Sequence, residues 1–324
     1  MELRTIDAHV AGAAVRLVTA GVPAIIGETL EERAQLLMAS SRTALLALSR
    51  EPRAAAGTVV TLLVAPDAPT ADAAMLFVSS EDLVPFSGDA LMAATFIAVE
   101  RGLILPRRQA QLEIDTLAGP VFVATRGRAV SFTGPAATVI RANHAVTFGR
   151  RALHVDLVWT GWEVAAIVDA EAAGAPLVPS RLLELQRAGR DLLDVLDDHR
   201  VAAHPETGAP LDVASAIFIG APPEHGADIL SGAVHRDGRV ARSPGVSAAV
   251  AVTTVLSAMG VVTTGQQVVH QGLAASTLVA EISGIDEREG RAHVTVEVAG
   301  DVWMTGEHVF MTRDGDPLAQ GLVL

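Results

Sequence analysis

Two short stretches, PFSGDA at residues 85–90 and RSPGVS at residues 242–247, decide the fold of this chain. Each leads into a small, apolar, helix-forming run that ends at a glycine; the two runs cover residues 91–101 and 248–259. Ser87 and Gly245 lie 158 positions apart and occupy equivalent places in their stretches. This pattern indicates an internal duplication, in which each half of the chain has one buried helix.

Composition limits the class of protein. The chain has 324 residues, of which 50% are hydrophobic, enough for two domains with cores of their own. Its formal net charge is −13 and its basic residues form no run, so neither nucleic acid nor a membrane is expected as a partner. No apolar run is long enough to cross a membrane, and the first residues lack a signal-peptide core. We therefore expect a soluble, cytoplasmic protein, and the lack of cysteine fits a reducing compartment.

Three residue types are missing, and their absence restricts the chemistry. The chain has no lysine, no tyrosine and no cysteine. This excludes a Schiff-base lysine, a lysine-anchored pyridoxal cofactor, a phosphate-loop lysine, a thiolate nucleophile and a tyrosine acid. The ten histidines show no metal-ligand spacing, so neither a metal nor a cofactor is expected. Proton transfer is left to Asp, Glu, His, or an activated Ser or Thr.

The remaining pattern predicts many strands and two surface helices. Thr29 and Glu32 have the spacing of a capping box, so a helix is predicted from there to Arg50. Another helix is predicted from Ser180, as its N-cap, to about Asp197. Strand-like patterns cover residues 1–17, 57–65, 74–79, 111–123, 129–132, 144–158, 162–168, 214–219, 229–234 and 268–310. The chain thus twice repeats the order of strands, one buried helix and more strands. This order indicates a mixed α/β (α+β) fold.

The two buried helix starts are candidate anion sites. A helix N-terminus offers backbone N–H groups without intrahelical partners and the positive end of the helix dipole, so two such ends can bind one carboxylate. The candidate substrate-binding residues are Gly88, Ala90, Gly245, Val246 and Ser247. The alternative is that these are simply buried helices with Ser and Asp side chains as N-caps.

A series of further motifs shares its order and spacing with one enzyme family. They are residues 6–9 (IDAH), Gly12, Arg16, 51–53 (EPR), 115–119 (DTLAG), 155–156 (VD), Gly161, 167–169 (IVD), 204–206 (HPE), 242–244 (RSP), His270, 304–306 (MTG) and 316–317 (DP). Together with the two helix starts, they make the chain resemble the proline racemase family over nearly its whole length.

The resemblance implies a fold of two similar halves, each a curled β-sheet around a central helix, like that of diaminopimelate epimerase. It implies an N-terminal half at 1–128, completed by 298–324, a C-terminal half at 129–297, and an active-site cleft between them. The implied ligand is a small-molecule carboxylate, such as a proline or hydroxyproline analogue. The resemblance leaves a homodimer open.

The chain departs from the family at the positions that carry its chemistry. The family's two acid–base cysteines correspond to Ser87 and Gly245, and the aspartate that would hold the substrate's ammonium corresponds to Ala241. Racemisation by two thiols is therefore not expected. Instead, a one-base lyase or isomerase reaction is expected. Ser87 and Asp89 are the predicted catalytic pair, because a serine hydroxyl needs a neighbouring base. Some family members also lack the second thiol. They keep the first one and dehydrate trans-3-hydroxyproline.

Two other readings of the function stay open. The chain is either a ligand-binding homologue without catalysis, or a carboxylate-based isomerase of the kind related to phenazine biosynthesis, which residues 86–91 (FSGDAL) also resemble. His9, His204 and His270 match scaffold positions of the proline racemase family and are expected to pack rather than to catalyse. Trp159 and Trp162 are interpreted mainly as packing residues of strands.

Overall fold

The computed structural model describes residues 2–107, 111–223, 225–313 and 315–322. The chain forms two compact units, the first made of residues 1–132 and 301–324 and the second of residues 133–300. None of the helices in these described ranges is both long and apolar enough to cross a membrane.

The described residues of the first unit form two α-helices and a series of strands. In chain order its elements are β1 (Glu2–Val10), β2 (Ala13–Ala20), α1 (Leu30–Ser49), β3 (Val59–Val64), β4 (Ala73–Val78), β5 (Leu83–Val84), α2 (Gly88–Glu100), β6 (Leu112–Thr116), β7 (Gly119–Arg126) and β8 (Ala129–Thr133).

The second unit has a similar composition of elements. They are β9 (Thr138–Phe148), β10 (Arg151–Trp159), β11 (Val164–Asp169), α3 (Ala170–Ala173), a 3₁₀ turn (Pro179–Arg181), α4 (Leu182–His199), β12 (Val213–Gly220), β13 (Ile229–His235), α5 (Val246–Ala258), β14 (Gln267–Gln271), β15 (Thr277–Arg288) and the first part of β16 (Arg291–Met311). The rest of β16 belongs to the first unit.

Both units follow the same strand order and the same sequence of strand directions. In the first unit the strands β1-β2-β3-β4-β6-β7 pair as antiparallel, parallel, antiparallel, parallel and antiparallel neighbours. In the second unit β10-β11-β12-β13-β14-β15 repeat this series. Each parallel pair is joined through a helix, since parallel neighbours need a crossover connection. The prediction of two similar halves is therefore confirmed.

Each sheet curls around one central helix. In the first unit β1 pairs with β16 as well as with β2, and α2 packs against β1, β2, β3 and β7. In the second unit Ala137 bridges to Val294 of β16, and α5 packs against β9, β10, β11 and β15. The central helices are apolar on nearly every side, which is typical of helices that are mostly buried. Leu91, Met92 and Ile97 of α2 are fully buried, and burial stabilises each by about 1.5–3 kcal/mol.

The two longer helices, α1 and α4, cover the outer faces of the sheets. Helix α1 packs on β3 and β4, and Thr29 caps it as predicted, accepting a hydrogen bond from the Glu32 N–H at 3.2 Å. Helix α4 packs on β12 and β13. The prediction of Ser180 as the N-cap of α4 is wrong, because Pro179 starts a 3₁₀ turn that contains Ser180, and the α-helix begins only at Leu182.

Four of the predicted strand segments contain more than one strand. Residues 1–17 contain β1, a turn and part of β2, and residues 111–123 contain β6, a turn and part of β7. Residues 144–158 contain a turn around Gly149, where φ is +60°, and residues 268–310 contain parts of β14, β15 and β16. A periodicity of two residues continues across such short turns, so the sequence pattern alone did not reveal them.

Candidate active site

Helix α2 begins at the first of the two decisive stretches. Ser87 is its N-cap residue, with an extended backbone, and its carbonyl accepts the Leu91 N–H at 2.8 Å. Within the described part of the chain, the Ser87 hydroxyl makes no capping hydrogen bond. A serine at this position usually uses its oxygen to accept a backbone N–H of the first turn. The capping interpretation is therefore wrong for the Ser87 side chain.

Asp89 places a carboxylate in the first turn of α2. Gly88 and Ala90 on either side are buried, whereas Ser87 and Asp89 are half-buried. A negative charge in the first turn is favoured by the helix dipole, typically by 0.3–1 kcal/mol. The structure thus brings the predicted catalytic pair and the predicted binding residues of this half together within one helical turn.

An aromatic cluster fixes the approach to α2. The buried Phe86 ring lies edge-on to Phe77 of β4, with ring centroids 6.0 Å apart, and 5.8 Å from the ring of Phe132. Pairs of this kind add about 0.5–1.5 kcal/mol beyond the area they bury. Because Phe86 precedes Ser87 directly, this packing holds the Ser87 backbone in place.

Helix α5 begins differently, at a glycine in a left-handed conformation. Gly245 is the N-cap residue, with φ +79°, and its N–H donates to Ser243 Oγ at 2.8 Å. A Cβ atom built on Gly245 would meet no heavy atom within 4 Å. The position that corresponds to the family's second cysteine therefore has open space beside it but no side chain. The Gly245 N–H, one of the predicted donors, is therefore already bonded within the protein, to Ser243.

Close backbone packing fixes the approach to α5. A Cβ on Gly272 would lie 2.4 Å from Pro244 N and 2.5 Å from the Ser243 carbonyl carbon, so only glycine fits there. The Arg242 carbonyl accepts the Ala274 N–H at 3.0 Å. The RSP segment is thereby held against the loop that follows β14.

The loop between β10 and β11 reaches the first turn of α5. The Trp162 indole N–H donates to Ser247 Oγ at 3.1 Å. Thr160 closes the loop, because its N–H and its hydroxyl both donate to the Glu163 carbonyl, at 2.9 and 3.0 Å. Glu163 is half-buried, and its Oε1 atom exposes less than 1 Å².

Sequence reasoning missed the importance of this loop. It interpreted Trp162 mainly as strand packing and did not consider Glu163. The available signal was a charged residue between Gly161, where φ is +103°, and the apolar strand β11. A charged residue directly before a buried strand is uncommon unless it has a partner or a function.

Two of the family-matched histidines organise turns, and the third is a core residue. His9 Nδ1 accepts the Gly12 N–H at 3.4 Å, and His204 Nδ1 accepts the N–H groups of Glu206 and Thr207 at 3.2 and 3.3 Å. His270 is fully buried, with Nε2 3.0 Å from Thr253 Oγ1. Burial lowers the pKa of His270 to about 4, against a smaller opposing effect of Asp228.

The described residues do not include any cluster of three or more His, Asp or Glu side chains suited to hold a metal ion.

Comparison with known proteins supplies the family. A family model described as "Proline racemase" matches residues 5–323. The chain belongs to the proline racemase family. It is 26% identical over 326 residues to a trans-3-hydroxy-L-proline dehydratase from Bacillus cereus, covering 99% of this chain and 97% of the relative.

Solved structures agree with this assignment. A hydroxyproline epimerase from Agrobacterium vitis with bound trans-4-hydroxy-L-proline superimposes with a TM-score of 0.85 at 25% identity, covering 100% of this chain and 96% of that protein. A PhzF-family phenazine biosynthesis protein from Bacillus anthracis reaches a TM-score of 0.63 at 11% identity, covering 96% of this chain and 99% of that one. The second likeness shows a shared fold alone. The first confirms the family fold predicted from the sequence.

Proposed function

We propose that this proline racemase family member is a cofactor-independent enzyme that removes the Cα proton of a small cyclic amino acid, such as a hydroxyproline, and eliminates a β-hydroxyl group. The observation that carries the proposal is the asymmetry of the helix starts. Helix α2 has a serine hydroxyl that caps nothing and a carboxylate in the same turn, whereas α5 begins at a glycine. The names of the two hydroxyproline-related proteins support the substrate class.

Each of the two helix N-termini is proposed as a place that can bind a carboxylate. First-turn N–H groups lack intrahelical acceptors and bind anions without needing a charged side chain. The candidate donors are the backbone groups of Gly88 and Ala90 in α2 and of Ser247 in α5. As the Cα proton leaves, negative charge spreads onto the carboxylate, and one donor aimed at such charge is worth about 10²–10³ in rate.

Proton removal is assigned to the Ser87–Asp89 pair. Asp89 either accepts the Cα proton itself or accepts it through the Ser87 hydroxyl. A positioned base contributes about 10²–10⁴ to the rate. The pair lies on one helix, so the proton leaves from one face of the substrate. Thiol-based racemisation is not available, because the chain has no cysteine.

The test is incubation with trans-3-hydroxy-L-proline, trans-4-hydroxy-L-proline and L-proline in heavy water. NMR follows deuterium at Cα, o-aminobenzaldehyde detects a pyrroline product, and chiral chromatography detects D-proline. The proposal expects exchange and pyrroline with the 3-hydroxy substrate and no D-proline above a buffer blank. Saturable binding without any exchange would instead establish the binding-only alternative.

A further inference from the structure

The first unit has an open apolar groove at the C-terminal end of its central helix. Helix α2 ends at Glu100, and Leu103, which follows it, lines a groove of about 350 Å³ together with Ile6 of β1 and Val309 of β16. Residues two apart share a face of a strand, so Met311 lies on the same side as Val309. Val309 and Met311 are 52% and 60% exposed. We call this region the α2-end groove.

Charged side chains of both signs surround the apolar part of the α2-end groove. Arg4, Arg101 and Glu307 line it. Arg101 forms an ion pair with Glu307, and Arg4 forms one with Glu2 at 3.3 Å. These four charges sum to zero, whereas the whole chain has a formal net charge of −13. Two copies of such an acidic chain repel each other, so a neutral surface is where they can approach closely.

The segment after α2 presents a large apolar side chain to solvent. Leu105 is 80% exposed, although Ile104 before it is buried. The Ile104 N–H donates to the Ala98 carbonyl at 3.2 Å. On the other side of Leu105, the Arg107 N–H donates to Asp72 Oδ1 at 2.9 Å. The backbone that carries Leu105 is thus fixed on both sides, which lowers the cost of ordering it in a contact.

An apolar projection and an apolar groove on the same surface fit a twofold contact. Leu103, two positions before Leu105, lines the groove, so the projection and the groove adjoin. In a twofold dimer one surface meets its own copy, and each contact occurs twice with the roles of the copies exchanged. The neutral charge of this surface favours a second copy of the chain as its partner.

We infer that the α2-end groove is the contact surface of a twofold dimer of this chain. Leu105 of each copy enters the groove of the other copy and lies against Val309 there. The inference goes beyond the proposed function and does not rest on it, because Ser87 and Asp89 lie at the opposite end of α2.

The assembly is measured by sedimentation velocity and light scattering over a wide range of concentrations. The wild type should have twice the mass of one chain. Leu105→Asp and Val309→Asp each put a charge into the contact twice, so each should raise the dissociation constant of the dimer by about 10²-fold or more. Ile26→Asp is the matched control, since Ile26 is 87% exposed in the segment before α1, and it should leave the dimer unchanged.

The lack of cysteine in the chain allows a direct test of which residues meet. Leu105→Cys and Val309→Cys proteins, mixed and oxidised, should form a disulfide between the two chains, because the inferred contact brings these positions together. The mixture of Ile26→Cys and Val309→Cys proteins should remain uncoupled.

Three results would overturn the inference. A wild type that stays monomeric would leave the groove to another partner. A dimer that Leu105→Asp and Val309→Asp do not weaken, or that Ile26→Asp weakens equally, would place the contact elsewhere. Absence of the disulfide between positions 105 and 309 in a dimeric protein would show that Leu105 does not enter the groove. Circular dichroism checks that each variant folds, and the disulfide test decides alone should an aspartate variant not fold.

Discussion

The two central helices have nearly the same surroundings but differ in how their N-termini are built. Helix α2 has Asp89 in its first turn and Ser87 at its cap, and its neighbouring hairpin continues with two alanines, Ala13 and Ala14. Helix α5 has no acid in its first turn and begins at Gly245. Duplication kept the backbone plan of the two units, whereas the polar side chains diverged in position.

The supports of the two helix starts differ as well. Aromatic side chains fix the approach to α2, through Phe86. Backbone packing against Gly272 fixes the approach to α5. A side chain can be exchanged for another of similar shape, but a contact that only glycine permits cannot. The α5 side should therefore tolerate less change in sequence than the α2 side.

The largest expected effect on stability concerns acid and belongs to the second unit. Burial lowers the pKa of His270 from 6.5 to about 4. Above pH 6.5 the imidazole is neutral in both states and has no effect, whereas between 6.5 and about 4 only the unfolded chain binds the proton. Stability should therefore fall as the pH drops through this range, by about 1.4 kcal/mol per pH unit.

Denaturant unfolding at about pH 7 and about pH 4.5 measures this loss of stability. The loss between the two pH values should be about 2–3 kcal/mol larger for the wild type than for His270→Gln. The variant is the control, since it keeps all carboxylates that titrate in the same range. Equal losses in the two proteins would show that His270 is not held neutral by burial.

An intermediate effect comes from replacing the two helix caps. Gly245→Ala finds open space but must adopt φ +79°, which costs roughly 1–3 kcal/mol in a residue with a side chain. Ser87→Ala loses no capping bond, so it should lower the free energy of unfolding by less than about 0.5 kcal/mol, whereas loss of a working cap costs about 1.

Thermal or denaturant unfolding of the two alanine variants gives both values under one set of conditions. If Ser87→Ala lowered the free energy of unfolding as much as Gly245→Ala, the two helix caps would have the same structural role, contrary to this prediction.

The smallest expected effect concerns the link between the hairpin loop and α5. Trp162→Phe keeps an aromatic ring but removes the N–H that binds Ser247, a bond worth about 1 kcal/mol. The free energy of unfolding should fall by about 1 kcal/mol, measured by denaturant unfolding. Trp159→Phe is the control, because Trp159 packs on the His204 ring at 4.9 Å, away from this bond. A loss of the same size in both variants would indicate a general effect of tryptophan packing.

Much of the fold could be predicted from the sequence because its determinants are local. The capping box at Thr29 and the small apolar runs after residues 87 and 245 define helices from neighbouring residues alone. The prediction was wrong at Ser180, where one proline changed the kind of turn.

The candidate site was only half predictable. Ser87 and Asp89 lie in one stretch and were found together. The bond from Trp162 to Ser247 joins residues that are 85 positions apart, and spacing along the chain does not show such a contact. Ser243 is a similar case, because its hydroxyl accepts the N–H of Gly245.

The central claim is that α2 removes the Cα proton and that its counterpart α5 does not. Deuterium exchange at Cα of trans-3-hydroxy-L-proline tests this most directly in Asp89→Asn, with Glu100→Gln as the control at the exposed far end of the same helix. We expect exchange to fall by about 10²–10⁴ in Asp89→Asn and to stay at the wild-type rate in Glu100→Gln. Exchange at the wild-type rate in Asp89→Asn would contradict the assignment of the base to α2.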